Sequence, residues 1–249
     1  LERGGHRFRT GSDSEVALHL YEDHGTRCVE RLRGEFAFVV WDARRGTLFA
    51  ARDRFGVKPL FYAESGGVLY LASEAKALFA AGLAAGWDHE ALFHGLHACP
   101  LEDRSLFAGV RQVPPGHVLV AAEGATRVAR YWDAREPGRG ARPRAAPLGE
   151  CVERVRALVE DAVRVRLRAD VPVGCLLSGG LDSSAVLGIA AAHGARPTAA
   201  FTVAFDEAEY DESGTAAATA RHAGAAHVIV AATDQALADA LPEAAWQGE

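Results

Sequence analysis

Cys175-Leu176-Leu177-Ser178-Gly179-Gly180-Leu181-Asp182-Ser183-Ser184 decides the fold of the half of the chain in which it lies. It follows an apolar run, Val171 to Leu177, that reads as a strand, and precedes another, Ser184 to Ala192, that reads as a helix. The junction predicts a strand, a loop of small residues and a helix N-terminus. Such a loop presents unpaired backbone N–H groups at the positive end of a helix dipole. Gly179 and Gly180 let the backbone approach a ligand closely, while Ser178, Ser183 and Ser184 add hydroxyl donors. A polyphosphate suits that chemistry, and the carboxylate of Asp182 suits a hard Mg²⁺ ion. No Lys accompanies the loop, so it is not the G-x-x-x-x-G-K-[ST] cradle. An ordinary strand-to-helix turn is the structural alternative.

Outward from the loop, strand and helix alternate. Apolar residues at helical spacing (Val152, Val155, Leu158, Val159, Ala162, Val163) predict a helix over 149–168. Strands are expected over 171–177, 198–205 and 227–231, with helices over 183–192, 212–222 and 234–241. Alternation of this kind predicts a parallel sheet with helices on both faces, which binds ligands beyond the carboxyl ends of its strands. Residues 133–148 hold three Pro, two Gly and no aromatic residue, and read as an exposed linker.

Before the linker the pattern changes to short strands. Glu35 to Trp41, Thr47 to Ala51, Lys58 to Tyr62 and Val68 to Ala72 are joined by turn-forming residues, which implies an antiparallel sheet. Helices are expected near 74–81 and 88–96, and a further strand over Val118 to Ala121. Ser12-x-x-Glu15 has the form of a capping box opening a helix.

Composition excludes several function classes. The 249 residues are 49% hydrophobic and 24% charged, as in a globular protein. A net charge of −6 argues against a nucleic-acid partner. No apolar run reaches the length of a membrane span, and six charges in the first twenty residues argue against a signal peptide. The four cysteines (Cys28, Cys99, Cys151, Cys175) form no C-x-x-C pair and read as reduced thiols of a cytoplasmic protein. The ten His show neither H-x-x-x-H nor H-E-x-x-H spacing, which argues against a zinc site. The chain has no Met, and Lys only at Lys58 and Lys76. It reads as a piece of a longer protein.

Three stretches before the linker carry a resemblance. Leu32-Arg33-Gly34-Glu35-Phe36-Ala37-Phe38-Val39-Val40-Trp41-Asp42, then Ala51-Arg52-Asp53-Arg54-Phe55-Gly56-Val57-Lys58-Pro59-Leu60-Phe61-Tyr62, then Ala72-Ser73-Glu74-Ala75-Lys76-Ala77-Leu78 resemble the glutaminase domain of class II glutamine amidotransferases. The Ser178 loop resembles the SGGxDS loop of ATP pyrophosphatases. Each half has other relatives: amidophosphoribosyltransferases share an RDxxGxxPL segment, and GMP and NAD synthetases share the loop. Both in this order resemble the glutamine-hydrolysing asparagine synthetase family across nearly the whole chain.

The resemblance implies an α+β antiparallel-sheet glutaminase domain of the N-terminal-nucleophile type over 1–132, incomplete, and the linker over 133–148. An α/β parallel-sheet PP-loop domain, also incomplete, follows over 149–249. It implies ATP and Mg²⁺ bound by Leu177, Ser178, Gly179, Gly180, Asp182, Ser183, Ser184 and Val203, with Asp182 reaching the metal through phosphate. Glutamine is implied at Asp13, in the SDTE-like segment Ser12-Asp13-Ser14-Glu15. The reaction implied is amidation of aspartate through a β-aspartyl-adenylate by ammonia from glutamine, in the cytoplasm, with a homodimer left open for the full-length protein. The family's N-terminal Cys is not at position 1, where Leu stands, so the piece is expected to hydrolyse no glutamine.

Some residues have plainer readings: Leu177 and Val203 as core, Asp13 as a helix-start residue. Asp206, Glu207, Glu209, Asp211 and Glu212 form an acidic cluster that reads as a solvated loop, with Asp211 capping the next helix. Arg52, Asp53, Arg54 and Lys58 are expected to stabilise their loop by ion pairs. Two other functions stay open: a carboxylate-adenylating synthetase of the β-lactam synthetase or lasso-peptide cyclase type, and a non-catalytic nucleotide-binding remnant.

Overall fold

The computed structural model describes residues 1–134, 146–194 and 199–248. They gather into two compact units, one on either side of 135–145. The linker expected over 133–148 falls largely outside the described residues, and Leu148 already opens a helix.

The first unit runs α1 (Ser14–His24), a 3-10 helix (Gly25–Arg31), β1 (Ala37–Asp42), β2 (Thr47–Arg52), β3 (Phe61–Ser65), β4 (Val68–Ala72), α2 (Ala75–Ala80), α3 (His89–Leu96), β5 (Arg111–Gln112), β6 (His117–Ala122) and β7 (Ala125–Arg130). Its strands form two antiparallel sheets, ordered β1-β2-β6-β7 and β4-β3-β5. The two-residue period of a strand sets the layers. On β2, Phe49 and Ala51 pack with Leu20, Tyr21 and Val29, while Ala50 between them faces Leu60, Tyr62, Val113 and Leu119. On β3, Tyr62 joins that inner cluster, and Ala63 turns the other way onto Ala75, Leu78 and Val110. The layers therefore stack as α1, first sheet, second sheet, α2. Phe49 is fully buried; such a side chain contributes about 1.5–3 kcal/mol.

The motif Arg52-Asp53-Arg54 is held differently from the expectation. Arg52 and Asp53 are buried and bond mainly to the backbone. Asp53 accepts N–H groups from Phe36, Phe55, Val57 and Lys58 at 3.0–3.3 Å. Arg52 donates to the carbonyls of Lys58, Val113 and Gly56 and to Gln112 Oε1, at 2.8–2.9 Å. A tight loop has backbone groups that no ladder satisfies, and a charged side chain with several bonding atoms can serve them together. This also delays β3: Lys58 N–H is taken by Asp53, and Pro59 has none to offer a ladder.

The capping box does not form. Ser12 Oγ accepts Ser14 N–H, and Glu15 reaches back beyond the helix to accept Arg9 N–H and Thr10 N–H at 2.9 and 2.7 Å. The Thr10 hydroxyl also donates to Glu15, and that bond first, then the one from Arg9 N–H, hold the Glu15 carboxyl below its usual range.

The second unit runs α4 (Leu148–Arg166), β8 (Gly174–Leu176), α5 (Leu181–His193), β9 (Ala199–Phe205), α6 (Ser213–Ala223), β10 (Ala226–Ala232) and α7 (Asp234–Gly248). The strands make a parallel sheet in the order β10-β9-β8. Leu187 of α5 and Ala216 and Ala220 of α6 pack with Leu177 and Ala200 on one face. The expectation of helices on both faces is not met among the described residues. Phe201, Val203, Phe205, Val228 and Val230 point to the other face and are 37–53% exposed. The apolar stripe of α4 is likewise open, with Val152, Val155, Leu158 and Val159 at 38–61% exposure.

Candidate functional site: the loop between β8 and α5

β8 ends at Leu176, but Leu177 N–H continues the pairing by donating to Phe201 O at 2.8 Å. The buried Thr202 hydroxyl donates to Leu177 O at 2.8 Å and lies 2.8 Å from His227 Nε2, which donates to it. This chain links β10, β9 and the end of β8, and fixes where the loop begins. Pattern reading missed both Thr202 and His227, because nothing in a strand's periodicity marks a hydroxyl that faces the core.

The loop is organised by its own serines. Ser178 N–H donates to Ser183 Oγ at 3.2 Å, the two hydroxyls lie 2.9 Å apart, and Gly180 N–H donates to Ser178 Oγ at 3.2 Å. Ser184 Oγ donates to Gly180 O at 2.7 Å. The hydroxyls read from the sequence as ligand donors thus shape the loop in this arrangement. What remains for a ligand is backbone: Leu181, Asp182 and Ser183 N–H, in the first turn of α5, have no partner among the described residues.

Gly180 precedes the helix at φ −78°, and neither loop glycine has positive φ, so their need is space. A Cβ on Gly179 would lie 3.1 Å from Glu212 Cβ, while one on Gly180 would meet only Ser178 Oγ, at 3.2 Å.

Glu212 is the residue that sequence reasoning placed elsewhere. Its carboxylate, assigned to a solvated acidic loop, accepts Gly179 N–H at 2.9 Å. An anionic oxygen therefore already lies against a backbone donor of the loop. Asp211, expected to cap the next helix, accepts the N–H and hydroxyl of Ser213, the first residue of α6, although the N-cap position itself is Glu212. Glu212 sits just past a strand's carboxyl end, which is the signal that could have flagged it.

The other predicted residues fall as follows. Leu177 is buried at 3% exposure, whereas Val203 is half-exposed on β9. Val203 lies two residues beyond the Phe201 that pairs with Leu176, so it borders the edge from which the loop departs. Asp182 is exposed in the first turn of α5, with no partner among the described residues. The loop thus gathers Leu177, Ser178, Gly179, Gly180, Asp182, Ser183, Ser184 and Val203 at one end of the parallel sheet.

Asp13 belongs to the first unit. It precedes α1, is exposed and makes no capping bond. Cys28 in the same unit is fully buried, which pushes its thiol up to about 11. A protonated, enclosed thiol is a poor nucleophile. Burial also raises the Cys175 thiol, while Cys99 and Cys151 are exposed. No described helix is long and apolar enough to cross a membrane.

An antiparallel unit followed by a parallel one with a small-residue loop at its strand ends defines a two-unit class, and sequence comparison gives each unit a type. The glutamine amidotransferase domain model matches residues 1–132, and the asparagine synthase model matches residues 154–249. The chain belongs to the glutamine-hydrolysing asparagine synthetase family. It is 38% identical to asparagine synthetase [glutamine-hydrolyzing] 3 of Bacillus subtilis over 83% of this chain and 34% of that protein. With asparagine synthetase [glutamine-hydrolyzing] 1 of the same organism it shares 34% over 99% of this chain and 38% of that protein. It is also 38% identical to amidase chyE of Penicillium rubens, over 98% of this chain and 38% of that protein. The chain thus spans 34–38% of the length of these relatives.

Proposed function

We propose that this chain serves glutamine-dependent, ATP-driven formation of asparagine from aspartate. A carboxylate resists amidation because its oxygen is a poor leaving group; ATP would supply the activation, as a β-aspartyl-adenylate, and glutamine the ammonia. The first unit would belong to a glutaminase of the N-terminal-nucleophile type, which its stacking of a helix, two antiparallel sheets and a helix supports. Asp13, exposed at a helix start and free of any capping bond, would receive the α-amino group of glutamine.

In the second unit, the unpartnered N–H groups of Leu181, Asp182 and Ser183 would receive the phosphates, Gly179 N–H would join them once Glu212 gives way, and Asp182 would carry Mg²⁺ through them. Leu177 and Val203 would border the adenosine through their backbone. The observation that carries this reading is Glu212 Oε2 accepting Gly179 N–H at 2.9 Å: a backbone donor of the loop is turned toward a carboxylate oxygen, which supports an anion at this position.

Gly180→Ala tests it. The new methyl meets only Ser178 Oγ and needs no unusual φ, so the fold should persist while the cradle is narrowed. Calorimetric titration of the full-length protein with ATP-Mg²⁺ should show affinity reduced by more than about tenfold, roughly 1.4 kcal/mol. Wild-type affinity in Gly180→Ala would make the loop a plain strand-to-helix turn. A second reading keeps amide formation and changes the acceptor to a carboxylate other than aspartate's; the similarity is not confined to asparagine synthetases, since one relative is named an amidase. Competition between candidate acids for glutamine-dependent product separates the two.

A further inference from the structure

The first unit holds a cluster that the reaction above does not use. His6, just after the N-terminal 3-10 helix, and His19 and Glu22 of α1 bring three ligand atoms together. His6 Nδ1 and His19 Nδ1 are 3.1 Å apart, His19 Nδ1 and Glu22 Oε2 are 2.8 Å apart, and His6 Nδ1 and Glu22 Oε2 are 3.4 Å apart. The point in their plane equidistant from all three lies about 1.8 Å from each; an ion at ordinary zinc bond lengths of about 2.0–2.1 Å would sit roughly 1 Å out of that plane. That is the shape of a three-ligand base with a fourth position open. The His6 and His19 side chains are only 15% and 14% exposed, while Glu22 at 53% leaves one side to solvent.

Proton placement gives an independent reason. His6 Nε2 lies 2.9 Å from Asp23 Oδ1, so neutral His6 keeps its proton there and offers a lone pair at Nδ1. Without an ion, a neutral His19 would then hold its proton on Nδ1, because both neighbours of that atom are acceptors. That strands a lone pair on His19 Nε2, which is buried without a hydrogen-bond partner, and whose nearest charged neighbour is Glu15 Oε2 at 3.8 Å. A cation on the two Nδ1 atoms reverses the conflict. His19 takes the Nε2–H tautomer, which directs a donor towards Glu15, and Asp23 remains behind His6 as an orienting carboxylate. The Phe8 ring, edge-on to His19 at 4.9 Å, holds the imidazole in place.

We propose that His6, His19 and Glu22 bind one first-row divalent cation of the zinc type, with water in the open position and Asp23 as the outer partner that orients His6. Two imidazoles and one carboxylate suit zinc better than Mg²⁺ or Ca²⁺, which prefer oxygen. The ion would staple the segment around His6 onto α1, whose first turn follows Asp13. The inference is independent of the reaction assigned to the chain.

The test uses the full chain with Cys99→Ser and Cys151→Ser, so that exposed thiols take no metal. Zn²⁺ titrated against a chromophoric chelator should bind at one equivalent and raise the melting temperature. Co²⁺ in its place should give visible d–d bands without thiolate charge-transfer absorption. Asp23→Asn should weaken Zn²⁺ binding by about 10–100-fold, and His6→Gln with His19→Gln should abolish stoichiometric binding. Unchanged zinc affinity in that double variant overturns the proposal. So does a chain that takes up no zinc at stoichiometric concentrations. Should the double variant unfold, Glu22→Gln, at an exposed side chain, carries the same comparison.

Discussion

Replacing Asp53 by Asn isolates what its carboxylate does, because the two side chains have nearly the same shape and no cavity is made. Oδ1 accepts from Phe55 and Val57 N–H, and Oδ2 accepts from Phe36 and Lys58 N–H. An Asn keeps one oxygen and puts an NH₂ where the other was. Whichever way it flips, two N–H donors lose their acceptor and face another donor. Asp53 is only 1% exposed, so little water can replace the loss. At about 1–3 kcal/mol for each stranded buried donor, the cost is roughly 2–6 kcal/mol. With a urea m-value of about 2 kcal/mol/M, the unfolding midpoint of the first unit should fall by about 1–3 M. Trp132 fluorescence reads the transition locally, since its ring packs 5.2 Å from Phe55. A change below about 0.5 kcal/mol, within the usual range for an uninvolved surface position, would refute the account of Asp53 as the organiser of this loop.

Other expectations follow from single contacts. Gly56→Ala should destabilise the first unit, by more than the roughly 1 kcal/mol of a left-handed backbone alone, because φ is +64° and the new Cβ would lie 2.8 Å from Pro115 Cγ and 3.0 Å from Arg52 Cζ; equal urea midpoints would contradict this. At pH 8, iodoacetamide should label Cys99 and Cys151 and spare Cys28, whose thiol is pushed up to about 11 by burial, until the unit unfolds; mass spectrometry of the labelled peptides decides. Asp88 caps α3 by accepting Ala91 N–H at 3.0 Å, and that bond, then Arg104, holds its carboxyl below the usual range. Its folded pKa is depressed, so the cap's stabilisation is present above the unfolded pKa and is lost as pH falls through the folded one. Hydrogen exchange at the Ala91 amide should therefore lose protection only in acid, and at every pH in Asp88→Ala.

Much of the architecture was legible because it depends on local chemistry. The run Val171 to Leu177, the small residues after it and the apolar helix behind them made a strand, loop and helix N-terminus readable without coordinates. Short apolar runs at 47–51 and 68–72, bounded by turn-forming residues, did the same for β2 and β4. β7 was not legible, because Arg127 and Arg130 break up its apolar signal, and it forms by pairing with β6. The capping box failed for a related reason: the Glu15 carboxylate is taken up by Arg9 and Thr10 N–H, in the segment before the helix.

The sequence by itself determined the change from antiparallel to parallel architecture and the position of the small-residue loop between β8 and α5. Both follow from residue type and spacing along the chain. The tertiary structure alone decided which side chains meet across it. It turned Arg52 and Asp53 from presumed ion-pair residues into backbone staples and set Glu212 against Gly179, 33 residues away in sequence. It also brought His6 to His19 and Glu22. No spacing rule for zinc finds a site split between a loop and a helix, because spacing encodes neighbours only within one regular element, whereas hydrogen bonds and ligand sets are satisfied by whatever the packed fold delivers.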